Sequence, residues 1–274
     1  MKNFAINGFG RIGRLALRIW FEKYQDQLAL KVINTSGSMD LAAWAHLLQH
    51  DSNYGFFKEK ISLKEIQKNT AISDERPELG YLKIGSQEIL VTAQKDPAKI
   101  PWNKYQVELV LETSGQFNKP AKAKAHLAAG AKKVLLSAPA KADHDHEVST
   151  SVIGVNEFDQ AKTIFSNASC TTNCIAPLMK IMQETLGVEK ALLSTVHAYT
   201  DDQNLHDNSH KKDLRRARSA ANNIVPTSTG AAKATTAIIP ALQNKFDGLA
   251  LRVPVATVSL SDLTFLTSKK TSVA

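Results

Sequence analysis

Cysteine is scarce in this chain: Cys170 and Cys174 are the only two among 274 residues. A pair four apart offers no disulfide framework, because closing it across one helical turn would distort that turn, so a reducing compartment is expected. No apolar run approaches the ~20 residues that a membrane-spanning helix needs. Met1 and Lys2 lead almost directly into an apolar strand and a glycine turn, which leaves no room for a signal peptide. These absences point to the cytoplasm and exclude a membrane partner. Internal repeats, heptad arrays and low-complexity tracts are also missing. What remains is an ordinary globular composition, 43% hydrophobic and 22% charged, sufficient for one large domain or two smaller ones. The formal charge of +8 would suit nucleic acid. Ligands carrying several phosphates call for the same sign, so charge alone does not choose.

The densest chemistry lies in Ser166-Asn167-Ala168-Ser169-Cys170-Thr171-Thr172-Asn173-Cys174. Ile175, Leu178, Met179, Met182 and Leu186 follow at helical spacing, and Gly187 ends the pattern. Pro177 is tolerated in a first turn, where its missing N–H costs nothing, so the helix is expected to begin close to Thr171. Cys170 then stands at a helix N-terminus. Unpaired N–H groups there lower a thiol's pKa and can hold the oxyanion formed when a thiolate attacks a carbonyl. The alternative is that both cysteines merely cap and pack the helix, but an inert cysteine normally has apolar neighbours, and here they are hydroxyls. The local sequence supplies no metal ligands.

At the other end of the chain, Phe4-Ala5-Ile6 reads as a buried strand, Asn7-Gly8-Phe9-Gly10-Arg11-Ile12-Gly13 as a turn, and Arg14 to about Tyr24 as an amphipathic helix. In such a turn Gly8 permits the tight bend, Gly10 lets a pyrophosphate approach the backbone, and Gly13 allows close helix–strand packing. A second strand, Leu28 to Ile33, begins a βαβ unit and supports dinucleotide binding. A site that prefers NAD usually has a carboxylate at the end of that strand. Here the residues are Asn34-Thr35-Ser36-Gly37, whose hydroxyls can donate to a 2′-phosphate, so NADP is expected at least to be tolerated. Asp40 swinging back would restore a preference for NAD.

Further along, Asp40 to His50 reads as a helix, and Val107 to Glu112 as a buried strand ending in Thr113-Ser114-Gly115, a plausible cofactor edge. A helix at Ala121 to Ala129 and a strand at Val134 to Ser137 follow. Asp143-His144-Asp145-His146 reads as a solvated loop in preference to a metal cluster. The strand Ala191 to Val196 delivers His197-Ala198-Tyr199-Thr200, and a basic segment runs from His210 to Arg218. Pro226-Thr227-Ser228-Thr229-Gly230-Ala231-Ala232 opens a helix, and the strand Leu249 to Val253 carries Arg252. A helix start, hydroxyls and two arginines suit a phosphorylated ligand.

Taken together, the glycine turn, Ser166 to Cys174, His197 to Thr200, Asp213 to Arg218, Pro226 to Lys233 and Leu251 to Pro254 resemble, in order and spacing, the phosphorylating glyceraldehyde-3-phosphate dehydrogenases. The cysteine motif is the most specific part. The resemblance implies an α/β Rossmann-type dinucleotide-binding domain over residues 1–169 and an α+β catalytic domain over 170–274. It implies Cys170 as nucleophile and His197 as its base and ion-pair partner. Thr200 and Arg252 would hold the substrate phosphate, Ser169, Arg216, Thr229 and Gly230 would receive inorganic phosphate, and Thr171 counts among the substrate-binding residues. Gly8, Gly10, Arg11, Ile12, Gly13, Thr35, Lys95 and Ser114 match positions that bind NAD or NADP. Lys95 stands where the family often has arginine, and Ser209 where NADP-accepting photosynthetic members carry serine.

The implied reaction oxidises glyceraldehyde 3-phosphate with phosphate to 1,3-bisphosphoglycerate, in glycolysis, gluconeogenesis or carbon fixation, by a cytoplasmic homotetramer without a metal. The family pattern continues for a further helix and strand beyond Ala274, including an asparagine that orients the nicotinamide, so the chain reads as a fragment. Erythrose-4-phosphate dehydrogenase is the nearest alternative, and Arg216 leans against it by favouring a site for inorganic phosphate. A basic RNA-binding remnant is an alternative of another class. It is disfavoured because the basic residues concentrate in a segment that the enzyme reading already employs.

Overall fold

The computed structural model describes residues 1–141, 143, 146–211 and 213–272. They form two compact units, one of Met1–Thr150 with Phe158–Asn167, the other of Ser151–Glu157 with the chain from Ala168 onward.

The first unit runs β1 (Lys2–Asn7), α1 (Arg11–Lys23), β2 (Leu28–Asn34), α2 (Leu41–Gln49), the short pair β3 (His50–Asp51) and β4 (Gly55–Phe56), β5 (Ile61–Glu65), β6 (Glu78–Ile84), β7 (Gln87–Thr92), β8 (Leu109–Glu112), α3 (Pro120–Ala128), β9 (Lys133–Leu136), β10 (Val148–Thr150) and β11 (Ile164–Ser166). Nine of these strands make one sheet in the order β10-β11-β9-β8-β1-β2-β7-β6-β5. It is parallel from β10 to β7, and β6 and β5 extend it antiparallel. Central strands of such a sheet are covered on both faces, which is why Phe4, Ala5 and Ile6 of β1 and Val32 and Ile33 of β2 are consecutive buried apolar residues. Helix α1 turns Leu17, Trp20 and Phe21 into the same core. The helix expected from Arg14 begins three residues earlier, inside the glycine stretch, with Gly10 as its N-cap and Gly13 already in its first turn.

A buried polar string crosses the C-terminal ends of four strands. Trp102 Nε1 donates to His126 Nδ1 at 3.2 Å, so the ring proton sits on Nε2, which lies 3.0 Å from Glu112 Oε2. Asn7 Nδ2 donates to the same Oε2 at 2.5 Å, Asn34 Nδ2 to Asn7 Oδ1 at 2.8 Å, and Thr92 Oγ1 to Asn34 Oδ1 at 2.9 Å. All of these side chains are buried.

The second unit contains α4 (Cys170–Thr185), β12 (Val188–Ala198), β13 (Val225–Ser228), α5 (Ala231–Ile238), β14 (Phe246–Val253) and β15 (Ser259–Thr267). Its sheet order is β13-β14-β12-β15, with β12 and β14 parallel and the outer pairs antiparallel. Ile175 and Met179 of α4 and Ala231 and Ala232 of α5 pack on Val188, Leu193 and Phe246 of the sheet. Two sequence expectations need correction. Pro177 is not in the first turn but well inside α4, where it removes one i→i−4 bond, and packing of Ile175, Ala176 and Met179 around it holds the helix together. Strand β15 escaped notice because Leu260 and Leu266 lie on the exposed face while Leu263 and Phe265 face the core, which blurs the alternation.

Candidate active site

The second unit assembles a thiol, an imidazole and a guanidinium in line. Ser169 is the N-cap of α4, and its Oγ accepts from Thr172 N at 3.0 Å. Cys170 is the first helical residue, and its Sγ is 3.5 Å from His197 Nε2. The backbone feeding it is unusual: Ala168 is buried at φ 60, a left-handed conformation that alanine rarely adopts. His197 lies near the end of β12, directly opposite Arg252 in the parallel register with β14. Its Nδ1 is 2.7 Å from the Ala198 carbonyl oxygen, and its Nε2 faces the sulfur. Arg252 Nη1 is 2.5 Å from the same Nδ1 and donates to Ala198 O at 3.0 Å.

The His197 hydrogen bond draws the Cys170 thiol down to about 7 from an ordinary 9.0, against the opposing effect of burial. Thr171 adds its backbone N–H and its hydroxyl, whose oxygen is 3.9 Å from the sulfur. Roughly half of the thiol is therefore ionised near neutrality.

Beside this line stands a cluster of arginine, hydroxyl and carboxylate groups. Arg216 Nε donates to Thr227 Oγ1 at 2.7 Å and its Nη1 to Asp202 Oδ2 at 2.6 Å, while Thr200 Oγ1 donates to Asp202 Oδ1. Burial works to raise the Asp202 carboxyl, but the Thr200 and Arg216 hydrogen bonds prevail and hold it below its usual range. Burial lowers the Arg252 guanidinium, and the Asp202 charge opposes that. Sequence reasoning missed Asp202. Two adjacent aspartates follow Thr200, and only the fold decides that the second meets the arginines. Thr229 and Gly230 lie two and three residues past Thr227, at the N-terminus of α5, where Thr229 Oγ1 accepts from Ala231 N.

The first unit presents a crevice fit for a dinucleotide. Gly8 has φ +98, and a Cβ on it would come within 2.5 Å of Ser114 backbone atoms. A Cβ on Gly13 would lie 2.2 Å from Gly8 O, so α1 packs against the turn only with glycine there. Gly10 caps α1 facing open space, leaving room for a phosphate at the helix N-terminus. Ile12 is exposed, and Arg11 is held 3.5 Å from Asp51. Ser114 donates its N–H and hydroxyl to Glu112. Past β2 and β7 lies a cleft of about 240 Å³, with Lys95 on its wall. The Thr35 hydroxyl is buried and donates to Thr92 O at 3.1 Å, so it is turned away from a ligand. Asp40 does not swing back to this cleft: its Oδ1 accepts from Asn69 N at 2.8 Å.

Of the segment weighed against a metal cluster, Asp143 caps the backbone of Glu147 and Val148, and His144 and Asp145 lie outside the described residues, as does Lys212 of the basic run. Among the described residues no helix is long and apolar enough to cross a membrane.

Residues 2–120 match the family model of the glyceraldehyde 3-phosphate dehydrogenase NAD binding domain, and residues 169–274 match that of the C-terminal domain. A glyceraldehyde-3-phosphate dehydrogenase of Clostridium acetobutylicum is 44% identical, across 100% of this chain and 76% of that protein. Glyceraldehyde-3-phosphate dehydrogenase 1 of Streptomyces avermitilis is 46% identical over 98% of this chain and 75% of its own length. The chloroplastic form A of Chlamydomonas reinhardtii is 44% identical over 97% and 67% respectively. With an acidified thiol beside an imidazole in one unit and a glycine-built phosphate cradle in the other, the chain belongs to the glyceraldehyde-3-phosphate dehydrogenase family.

Proposed function

We propose that the chain oxidises D-glyceraldehyde 3-phosphate, with NAD or NADP and inorganic phosphate, to 1,3-bisphosphoglycerate through a thioester on Cys170. The observation that carries this reading is the 3.5 Å approach of His197 Nε2 to a Cys170 sulfur at the start of α4. The Cys170 thiolate adds to the aldehyde carbon, and the carbonyl electron pair moves to oxygen. That oxyanion is met by the Cys170 backbone N–H at the helix N-terminus and by the imidazole. The His197 imidazolium gives that oxygen a proton from Nε2 and takes it back as the carbon loses its hydride and becomes the thioester. Gly8, Gly10, Arg11, Ile12 and Gly13, with Lys95 and Ser114 at the edges, would hold a dinucleotide that would supply the acceptor for the hydride; Thr35, its hydroxyl turned inward, drops out of the set.

Phosphate then attacks the thioester carbon and expels the Cys170 thiolate. A thiol serves here because its ester stays reactive enough for phosphate to displace it. Arg252 and Thr200 are assigned to the substrate phosphate, and Arg216, with Ser169, Thr229 and Gly230, to the incoming one; Thr171 counts among the substrate-binding residues. Asp202 holds Arg216 and Thr200 in position. The same reading has the enzyme working in the cytoplasm as a homotetramer, which light scattering on the purified protein tests.

The decisive experiment is Cys170→Ser assayed by reduction of NAD or NADP with aldehyde and phosphate present. Activity should fall by about a thousandfold or more, as expected when a nucleophile that cannot be replaced is lost. Near-normal turnover by that variant would overturn the assignment.

A further inference from the structure

The cleft past β2 and β7 has a wall that neither strand supplies. Between β5 and β6 the chain makes an excursion over residues 66–77, closed at its neck by Ile66 N to Leu79 O and by Gln67 Nε2 to Arg76 O and Glu78 O. It is pinned to the end of β2 by Asn69, which donates its N–H to Asp40 Oδ1 and its amide to Gly37 O at 3.2 Å. So fixed, the excursion places Ser73 and Asp74 on the cleft opposite Ser36, Gly37, Gln94 and Lys95. Asp74 is held there on both oxygens: Gln94 Nε2 donates to Oδ1 at 3.1 Å and Lys99 Nζ donates to Oδ2. Those two hydrogen bonds, Lys99 first, keep its carboxyl below the usual range.

In a parallel dinucleotide-binding sheet, the group that reads the adenosine ribose stands at the end of the second strand, and a carboxylate there accepts from the 2′-hydroxyl and repels a 2′-phosphate. The end of β2 has no such group: Thr35 is turned inward, and Asp40 is committed to the excursion. We propose that Asp74, delivered by the 66–77 excursion, is the specificity-determining carboxylate of this cleft, so that the chain binds NAD in preference to NADP. The proposal rests on the reading of the first unit as a dinucleotide domain. Lys95, which lines the same cleft and makes no ion pair among the described residues, pulls the other way. A 2′-phosphate drawn to it would share the cleft with a carboxylate already ionised, whereas a ribose hydroxyl finds in Asp74 an acceptor and in Lys95 no obstacle.

The test is equilibrium binding, read on the full chain without substrate. Tryptophan fluorescence is a suitable signal because Trp20, Trp44 and Trp102 all belong to the first unit. NAD and NADP are titrated at one ionic strength, and 5′-AMP and adenosine 2′,5′-bisphosphate repeat the comparison without the nicotinamide end. The wild-type chain should bind NAD more tightly by about tenfold, the effect of one unfavourable charge contact. Asp74→Asn should shrink that ratio to near unity, chiefly by tightening NADP, and Asp74→Glu should keep it. Lys99→Met, which strips the carboxylate of its cation, should widen it. Because each ratio is taken on one folded sample, loss of stability in a variant does not imitate the result. A wild-type ratio near one, or a ratio unmoved by Asp74→Asn, overturns the role of Asp74 while leaving the dinucleotide domain standing. Binding of neither nucleotide overturns both.

Discussion

The behaviour of Cys170 follows from one neighbour. With the thiol brought to about 7 by His197, the thiolate fraction rises as pH increases through neutrality, and alkylation by iodoacetamide should show its midpoint there. His197→Asn removes the largest favourable contribution, so the midpoint should move upward toward the ordinary 9.0 and the rate at pH 7 should fall by about tenfold or more. Mass spectrometry of the Cys170 peptide across a pH series measures both, with Cys174 as an internal reference. Arg216 offers a second check. Its fork reaches Asp202 Oδ2 and Thr227 Oγ1 together, a geometry that a single ammonium cannot copy. Arg216→Lys should raise KM for inorganic phosphate by about tenfold, with a smaller effect on KM for the aldehyde.

Among the elements, α4 and the glycine turn ahead of α1 carry the most. Ser169→Ala deletes the only side-chain cap of α4 and should cost about 1 kcal/mol, seen as a lower urea midpoint with an unchanged slope. Gly8→Ala is a harsher change, since its Cβ would collide with Ser114 backbone in a left-handed turn; NAD binding should be lost before the fold is. Both elements were legible in the sequence because their signals are local: glycines at fixed offsets, hydroxyls before a helix, an apolar stripe after it. Other features depend on residues far apart in the chain. Asp74 meets Gln94 and Lys99 twenty and twenty-five positions away, and Asp202 meets Arg216 across fourteen, so no window of sequence contains either partnership. The interior position of Pro177 was hidden for a related reason, because packing by residues outside the helix overrode a local propensity.

For the whole molecule, the two units differ in what reports on them. All three tryptophans lie in the first unit, so fluorescence-monitored melting follows the nine-stranded sheet and says nothing of the catalytic sheet. Adding NAD at ~100 times its Kd should stabilise that transition by about 2.7 kcal/mol, and circular dichroism should show a component that does not move with it. The string from Trp102 through His126, Glu112, Asn7 and Asn34 to Thr92 has an effect during folding as well. The links from Glu112 through Asn7 and Asn34 to Thr92 join neighbours in one alignment of β8, β1, β2 and β7. Sliding any of these strands by a single residue would turn an amide or a carboxylate toward greasy surroundings with nothing to bond. Mispaired sheets are thereby penalised several times over, and the chain is steered to the one arrangement in which its phosphate cradle lines up.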